Sequence, residues 1–260
     1  MKFGEAMRIA QGQTDWIRSR YNEYIQGPRD VEAEQQHAVR LLGLPERDRT
    51  KSWAASGSGK CLRQRQFAYL GMPGKRPDDH AANIFLNGTW VHIRHQVVGL
   101  AAGYLKDAEV PVAVEFLNLK GTMDAIDATG TPVEYKSINM NGYMEVKQFG
   151  VRKEHNHQIH GYMFAGEFES VRVVYENKNT NDLAEFHVQR DEDLINVVRS
   201  HLYTLEWAKD VKQLLPMLPE CQEKKGQYRW CPFASQCATA SYLEIEEKYA
   251  TPATSSSVSD

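Results

Sequence analysis

The spacing of apolar positions changes along the chain, and each change marks an expected element. Through the first fifty residues apolar side chains recur three and four apart, the spacing of one helical face. Met1 to Tyr24 carries mixed helical periodicity, which Gly27-Pro28 breaks. Asp30 can cap a second helix over Val31 to Leu42, with Gly43 and Pro45 as stop signals. Residues 52–60 (SWAASGSGK) are small and polar and are expected to form a flexible stretch. A helix is predicted from Leu62 to Leu70, ended by Gly71-Met72-Pro73-Gly74. A longer one follows from Asp79 to Ala102, with Gly88 as its weak point.

Beyond residue 109 the period falls to two. Val110–Phe116, Leu119–Asp127 and Pro132–Ile138 are short β-branched runs bounded by turn residues and are predicted as strands. Helical spacing returns over Lys153–Ala165. Val171–Glu176 and Ala184–Val188 read as two further strands. Asp191 can cap a long helix reaching about Leu215, where Pro216 and Pro219 stop it. A cysteine-bearing segment, a short acidic helix near Ser241–Tyr249 and a Ser/Thr-rich, disordered tail over 251–260 complete the chain. Helices, an antiparallel run of strands, a helix, more strands and a helix make an α/β (α+β) core: a central mixed sheet flanked by helices.

The chain has 260 residues, enough for one substantial core with or without an appended lobe. No apolar run reaches the roughly 18 residues that span a bilayer. The N-terminus has no sustained apolar stretch of the signal-peptide kind. A cytoplasmic location is the expectation. The net charge of −3 excludes a protein that lives by an overall basic field. One local exception runs from Lys60 to Arg76, where Arg63, Arg65, Lys75 and Arg76 occur without an acidic residue. Arg63 and Arg65 are candidate DNA contacts on that basis.

The chemistry concentrates between Gly121 and Lys136, where Asp124 is followed after nine residues by Glu134-Tyr135-Lys136. As a hairpin with a three-residue loop at Ala128-Thr129-Gly130, this segment sets Asp127 across from Thr131 and Asp124 across from Glu134. Directly paired residues have Cβ atoms roughly 4.5–5.5 Å apart. Alternation then puts Lys136 on the same face, and Tyr135 and Asp127 on the other. Two carboxylates held that close repel unless a cation joins them, and a hard divalent ion such as Mg²⁺ or Mn²⁺ takes oxygen ligands of this kind. The Tyr135 carbonyl can add a ligand. Lys136 can hold the attacking water or a phosphoryl oxygen. Upstream, Gly88 and His92 share a predicted helix. Downstream, Gln158 and Tyr162 stand four apart on one helical face.

Four cysteines remain: Cys61 alone, then Cys221, Cys231 and Cys237 spaced C-x9-C-x5-C. Without a secretory signal, disulfides are not expected. Soft thiolate ligation is the better reading, either of zinc or of a [4Fe–4S] cluster. Zinc sites use close cysteine pairs, which are missing here, and the aromatic and proline setting Tyr228–Phe233 suits a cluster. Ser58-Gly-Lys60 is not a phosphate loop. The Walker pattern needs Gly where Ala54 stands, and Ser or Thr where Cys61 stands.

In this order the motifs resemble the RecB-like PD-(D/E)XK exonucleases with a C-terminal iron–sulfur cluster, including CRISPR-associated and phage-encoded relatives and the AddB nuclease domain. The matching residues are Cys61, Gly88…His92, Gly121…Asp124, Glu134-Tyr135-Lys136, Gln158…Tyr162 and Cys221, Cys231 and Cys237. The chain departs from the family pattern in the nine residues between its second and third cysteines, where two are usual, and in Met123 before Asp124. The resemblance implies a restriction-endonuclease-like fold and a Mg²⁺- or Mn²⁺-dependent DNA exonuclease acting on single-stranded ends in recombination, repair or end processing. It implies His92, Asp124, Glu134 and the Tyr135 carbonyl as metal ligands and Lys136 as the catalytic lysine. Gln158 and Tyr162 become DNA-binding or site-supporting residues and the four cysteines cluster ligands. A recombination or CRISPR-type protein partner is part of the same implication. The domain division expected is a helical region over 1–60, the nuclease core over 61–240, and a helix and tail over 241–260. The competing expectation is a non-catalytic DNA-binding or adaptation subunit of the same fold.

Overall fold

Seven strands form one mixed sheet in the computed structural model, which describes residues 12–45 and 51–250. In chain order the elements that frame the site are β1 (Gln13–Thr14), α1 (Trp16–Gln26), α2 (Val31–Leu42), β2 (Trp53–Ala54), α3 (Leu62–Tyr69) and α4 (Asp79–Ala101). Then come β3 (Leu105–Val114), β4 (Leu119–Asp127), β5 (Pro132–Ile138), α5 (Met140–Phe149) and α6 (Lys153–Gly166). Strands β6 (Ser170–Asn177) and β7 (Leu183–Gln189) and helix α7 (Glu192–Asp210) follow. The sheet runs β1-β7-β6-β5-β4-β2, with β3 along the remaining edge of β4. β2–β4 and β5–β6 are parallel; the other pairs are antiparallel.

The strands of the middle carry continuous burial rather than alternation, because helices cover both faces. On one face Ile17 of α1 and Val98 of α4 pack with Val133, Tyr135 and Val174. On the other, α6 contributes Ile159 and Met163, and α7 contributes Ile195, Val198, Leu202 and Leu205. These four recur at helical spacing and are each 0% exposed. Burying each stabilises the fold by about 1.5–3 kcal/mol. Helix starts follow local chemistry: the side chains of Asp30, Asp78, Asn139 and Asp191 accept backbone N–H groups of the first turns they precede.

Three expectations change. Residues 52–60 are not flexible: Trp53, Ala55 and Ser58 are buried, and Trp53 pairs with Leu119 as a parallel strand beside β4. The region 1–60 therefore supplies β1 and β2 to the core sheet. Helix α5 was not expected at all. Its Gly142 masks the helical pattern; a side chain there would displace the Arg152 guanidinium, and the Asn139 side chain accepts the Gly142 amide. The long C-terminal helix stops at Asp210, followed by Lys212 at φ 53°, rather than near Leu215. Helix α4 is continuous through Gly88. The helical reading of Met1 to Tyr24 falls partly outside the described residues, and within them β1 precedes α1. The tail 251–260 lies wholly outside them. No helix among the described residues is long and apolar enough to cross a membrane.

Candidate active site

The site opens where β4 loses its neighbours. Along one edge β4 pairs with β3. Along the other, β2 takes Leu119 and Lys120, and β5 takes Ala125 and Ile126. Gly121 to Asp124 lie between these two partners without a strand of their own on that side, among the described residues. A cleft of about 500 Å³ fills the gap and is lined by His92, Asp124, Glu134, Lys136, Gln158 and Tyr162 together with parts of β2 and β3.

The hairpin register is the one the spacing requires. Ala125 pairs with Val133, and the Asp127 amide reaches the Thr131 carbonyl at 2.8 Å, so Asp124 stands across from Glu134. The ladder ends just there. Asp124 uses its own Oδ2 to accept the Tyr135 amide at 2.7 Å, while its carbonyl accepts from Gln96 at 2.8 Å. Both groups would otherwise have gone to a regular ladder, so the strands splay without leaving buried backbone unsatisfied. Asp127 is separated from this chemistry. Its Oδ1 accepts from the Thr129 and Thr131 amides and its Oδ2 from Arg172 at 2.8 Å, so it organises the turn. Gly130, at φ +90°, supplies the left-handed residue the turn needs.

Glu134 is 2% exposed. Its Oε1 accepts from Lys136 Nζ at 2.5 Å and from Gln158 Nε2 at 2.8 Å, while its Oε2 is buried with no partner. Burial, and then the charge of Asp124, push the Glu134 carboxyl up to about 7. Burial opposes the charge on Asp124 as well, but His92 and Lys136 beside it hold that carboxyl below its ordinary value. His92 Nδ1 lies 3.3 Å from Asp124 Oδ2. Burial works against charging His92, and Asp124 outweighs it, so the ring is held above its ordinary pKa. Gln158 bridges Lys136, Glu134 and the Tyr162 hydroxyl. Tyr162 is 4% exposed, and its ring is close enough to Gly121 that a Cβ there would come within 2.8 Å. Gly121 is the residue that lets β4 and α6 approach.

No three His, Cys, Asp or Glu side chains stand ready-made around one ion among the described residues. At the cleft the reason is visible: Lys136 and the Tyr135 amide occupy carboxylate oxygens that a metal would take. The donor set still suits a divalent cation, because the unpartnered Glu134 Oε2 beside Asp124 is a buried acceptor awaiting a positive partner.

The cysteines converge. Cys61, Cys221, Cys231 and Cys237 line one small hollow with Gln64, Phe67, Met217 and Leu218. Burial and the neighbouring thiols raise the pKa values of Cys221, Cys231 and Cys237. Four sulfurs in an apolar shell are a donor set for a thiophilic metal. The hollow is only about 20 Å³, the space of a single ion. A [4Fe–4S] cubane is larger than a single ion and would need this hollow to widen.

Within the basic stretch Arg63 and Arg65 are buried, while Lys60, Lys75 and Arg76 are exposed. Arg63 is 9% exposed, and its guanidinium donates at 2.7 Å to the carbonyls of Leu215 and of Cys237, tying the cysteine segment to α3. Arg65 is 5% exposed. Sequence reasoning missed Gln96 and Glu109, which both line the cleft. Glu109 stands in register opposite Asp124, between the pairs Ala108–Ala125 and Val110–Met123, at φ 62°. A non-glycine residue in that conformation is a strained position of the kind that collects at functional sites, but strain is not visible in a sequence.

The chain matches no protein-family model, and no curated relative matches it. Solved structures do share its fold. The alkaline exonuclease LHK-Exo from Laribacter hongkongensis aligns at TM-score 0.50 and 13% identity, over 63% of this chain and 90% of that one. LHK-Exo in complex with dAMP aligns at TM-score 0.51 and 14% identity, over 69% and 93%. The SSO0001 protein aligns at TM-score 0.49 and 18% identity, over 83% and 98%. The fold class is therefore that of an α/β protein with a central mixed sheet flanked by helices, the architecture of the LHK-Exo nuclease.

Proposed function

We propose that this protein is a Mg²⁺- or Mn²⁺-dependent DNA exonuclease of the RecB-like PD-(D/E)XK type, acting at single-stranded DNA ends in recombination, repair or end processing. The observation that carries the reading is the buried, unsatisfied Glu134 Oε2 beside Asp124, with Lys136 bonded to the same carboxylate at the floor of an open cleft. The likeness in fold to an alkaline exonuclease supports it.

Asp124, Glu134, His92 and the Tyr135 carbonyl would hold the divalent ion. When bound, that ion supplies activation of a water and neutralisation of charge on the scissile phosphate. Lys136 then points its ammonium protons at a phosphoryl oxygen and stabilises the charge that builds there. Gln158 holds Lys136 and Glu134 side by side through one amide. The Asp124 carboxylate is anchored by the Tyr135 amide and cannot swing away.

The four thiols are assigned to a [4Fe–4S] cluster, because all four cysteines line one hollow and no imidazole or carboxylate does. It would join α3 to the C-terminal segment and carry no chemistry. Anaerobic purification tests this directly: a brown protein with broad visible absorption supports iron and sulfur, and a colourless zinc-loaded one overturns it. The activity is tested with end-labelled single- and double-stranded DNA, with Mn²⁺ and with EDTA. Cleavage of free ends with Mn²⁺, abolished by EDTA and by Asp124→Ala, is expected. Binding to single strands with no cleavage would identify a DNA-binding subunit instead.

A further inference from the structure

His95 is a polar ring buried where an aliphatic side chain would pack as well. It stands on α4 one turn beyond His92, among the buried residues Val91, Val97 and Val98. Its Nε2 lies 2.7 Å from Glu176 Oε2, and Arg94 donates to the same oxygen. Burial opposes charge on Glu176, but His95 and Arg94 outweigh it and hold that carboxyl below its ordinary pKa. An ionised carboxylate only accepts, so Nε2 carries the proton and the bond fixes both the tautomer and the plane of the ring. Tyr135 rests on that plane. The two rings are stacked, with centroids 4.7 Å apart and planes 8° from parallel. Tyr21 of α1 packs on the His95 ring too, at 4.8 Å, and His92 meets the Tyr135 ring edge-on at 6.4 Å. Helix α4 thus grips one tyrosine ring through two histidines a turn apart.

The importance of Tyr135 lies in its backbone. Strand alternation sends its ring to the α4 side of the sheet and its neighbours Glu134 and Lys136 to the cleft. Its amide donates to Asp124 Oδ2 at 2.7 Å. Its carbonyl is among the ligands proposed above for the divalent ion. A shift of the ring would carry both groups with it, away from Asp124 and His92. We propose that His95, aimed by Glu176, is a positioning residue for the cleft: from behind the sheet its ring fixes Tyr135, and so sets where the Tyr135 amide and carbonyl stand relative to Asp124 and His92. It touches neither the ion nor the nucleic acid. The effect on the ion rests on the nuclease reading; the hold on the Tyr135 backbone does not. Leucine at 95 would fill the same space but offers neither a flat face nor a donor for Glu176.

Two readouts separate positioning from packing. The first is amide hydrogen exchange of the full chain without added divalent metal. In His95→Leu the Tyr135 amide should exchange at least about tenfold faster, measured against the amides of β6, because its bond to Asp124 is no longer held from behind. His95→Gln keeps a planar group and a donor for Glu176, and its Tyr135 amide should stay within about threefold of the native rate. The second readout is Mn²⁺ affinity, followed by titration of the full chain. It should fall by about 10–100-fold in His95→Leu, the usual loss when a group that orients metal ligands is removed, and recover in His95→Gln. Val98→Ala, in the same packed layer, is the control: it should lose stability in urea unfolding and keep its Mn²⁺ affinity within about threefold. Unchanged Tyr135 exchange in His95→Leu overturns the proposal. So does an equal loss in His95→Leu and His95→Gln, or a Val98→Ala protein whose Mn²⁺ affinity falls as far as that of His95→Leu. A native protein that binds no Mn²⁺, in which His95→Leu still releases the Tyr135 amide, leaves the positioning role standing and removes the metal-dependent nuclease reading alone.

Discussion

Glu134→Gln should stabilise the metal-free protein while removing its activity. Glu134 is 2% exposed, one of its oxygens has no partner, and Asp124 stands beside it. Its carboxyl is pushed from 4.5 up to about 7, by burial first and by Asp124 second. The folded state therefore binds this proton more tightly than the unfolded chain does. The stability it contributes is fully present below about pH 4.5 and is lost as pH rises through about 7. At about 1.36 kcal/mol per pH unit, the loss comes to about 3 kcal/mol. Glutamine keeps the acceptor for Lys136 and carries no charge to desolvate. In urea unfolding with EDTA, between about pH 5 and about pH 8, the native protein should lose stability by roughly that amount through this group. Glu134→Gln should lack that decline and be the more stable of the two at about pH 8. Adding Mn²⁺ should restore the native protein and not the variant. If Glu134→Gln is the less stable protein at about pH 8 in EDTA, the carboxylate is a structural ion-pair partner and the argument for a cation at this position fails.

Three further outcomes follow from the same geometry. Lys136→Met should lower the cleavage rate by about 10²–10³ with little change in substrate binding, since the ammonium acts on charge that develops in the reaction; a rate within a few-fold of the native one would remove Lys136 from the mechanism. Arg63→Met should destabilise the fold by about 2–4 kcal/mol in urea unfolding, because the carbonyls of Leu215 and Cys237 lose charged donors in a buried setting; an unchanged midpoint would show that water replaces them. Cys221→Ser should lose bound metal to the same extent as Cys61→Ser, read as metal per chain and visible absorption, because the two thiols line the same hollow; a full metal complement in Cys221→Ser would exclude it as a ligand.

Much of the framework is local physics and was legible without coordinates. Asp30 and Asp191 cap helices because a short acidic side chain reaches the amides of the next turn. The pairing of Asp124 with Glu134 follows from turn length and strand alternation, both counted along the chain. The separation of Asp127 from the site follows from the same parity. Other features depended on partners far away in sequence. Trp53-Ala54 looks like part of a flexible linker until Leu119 and Lys120 offer it an edge to pair with. Arg63 and Arg65 read as exposed bases until α3 packs beneath the C-terminal segment and buries both. Nine residues separate Cys221 from its neighbour Cys231 in the chain, yet it reaches the same hollow as Cys61.

The chain by itself determined most of its longer helices and strands, the face on which two carboxylates and a lysine meet, and the presence of four thiols, since each rests on spacing within one element or one turn. Only the tertiary structure decided where β4 parts from β5 to open a cleft, that four cysteines line one hollow, and that Arg65 is buried without a hydrogen-bond partner. Burial and charge environment are set by whatever packs from across the fold, and no periodicity along the chain encodes which segment that will be.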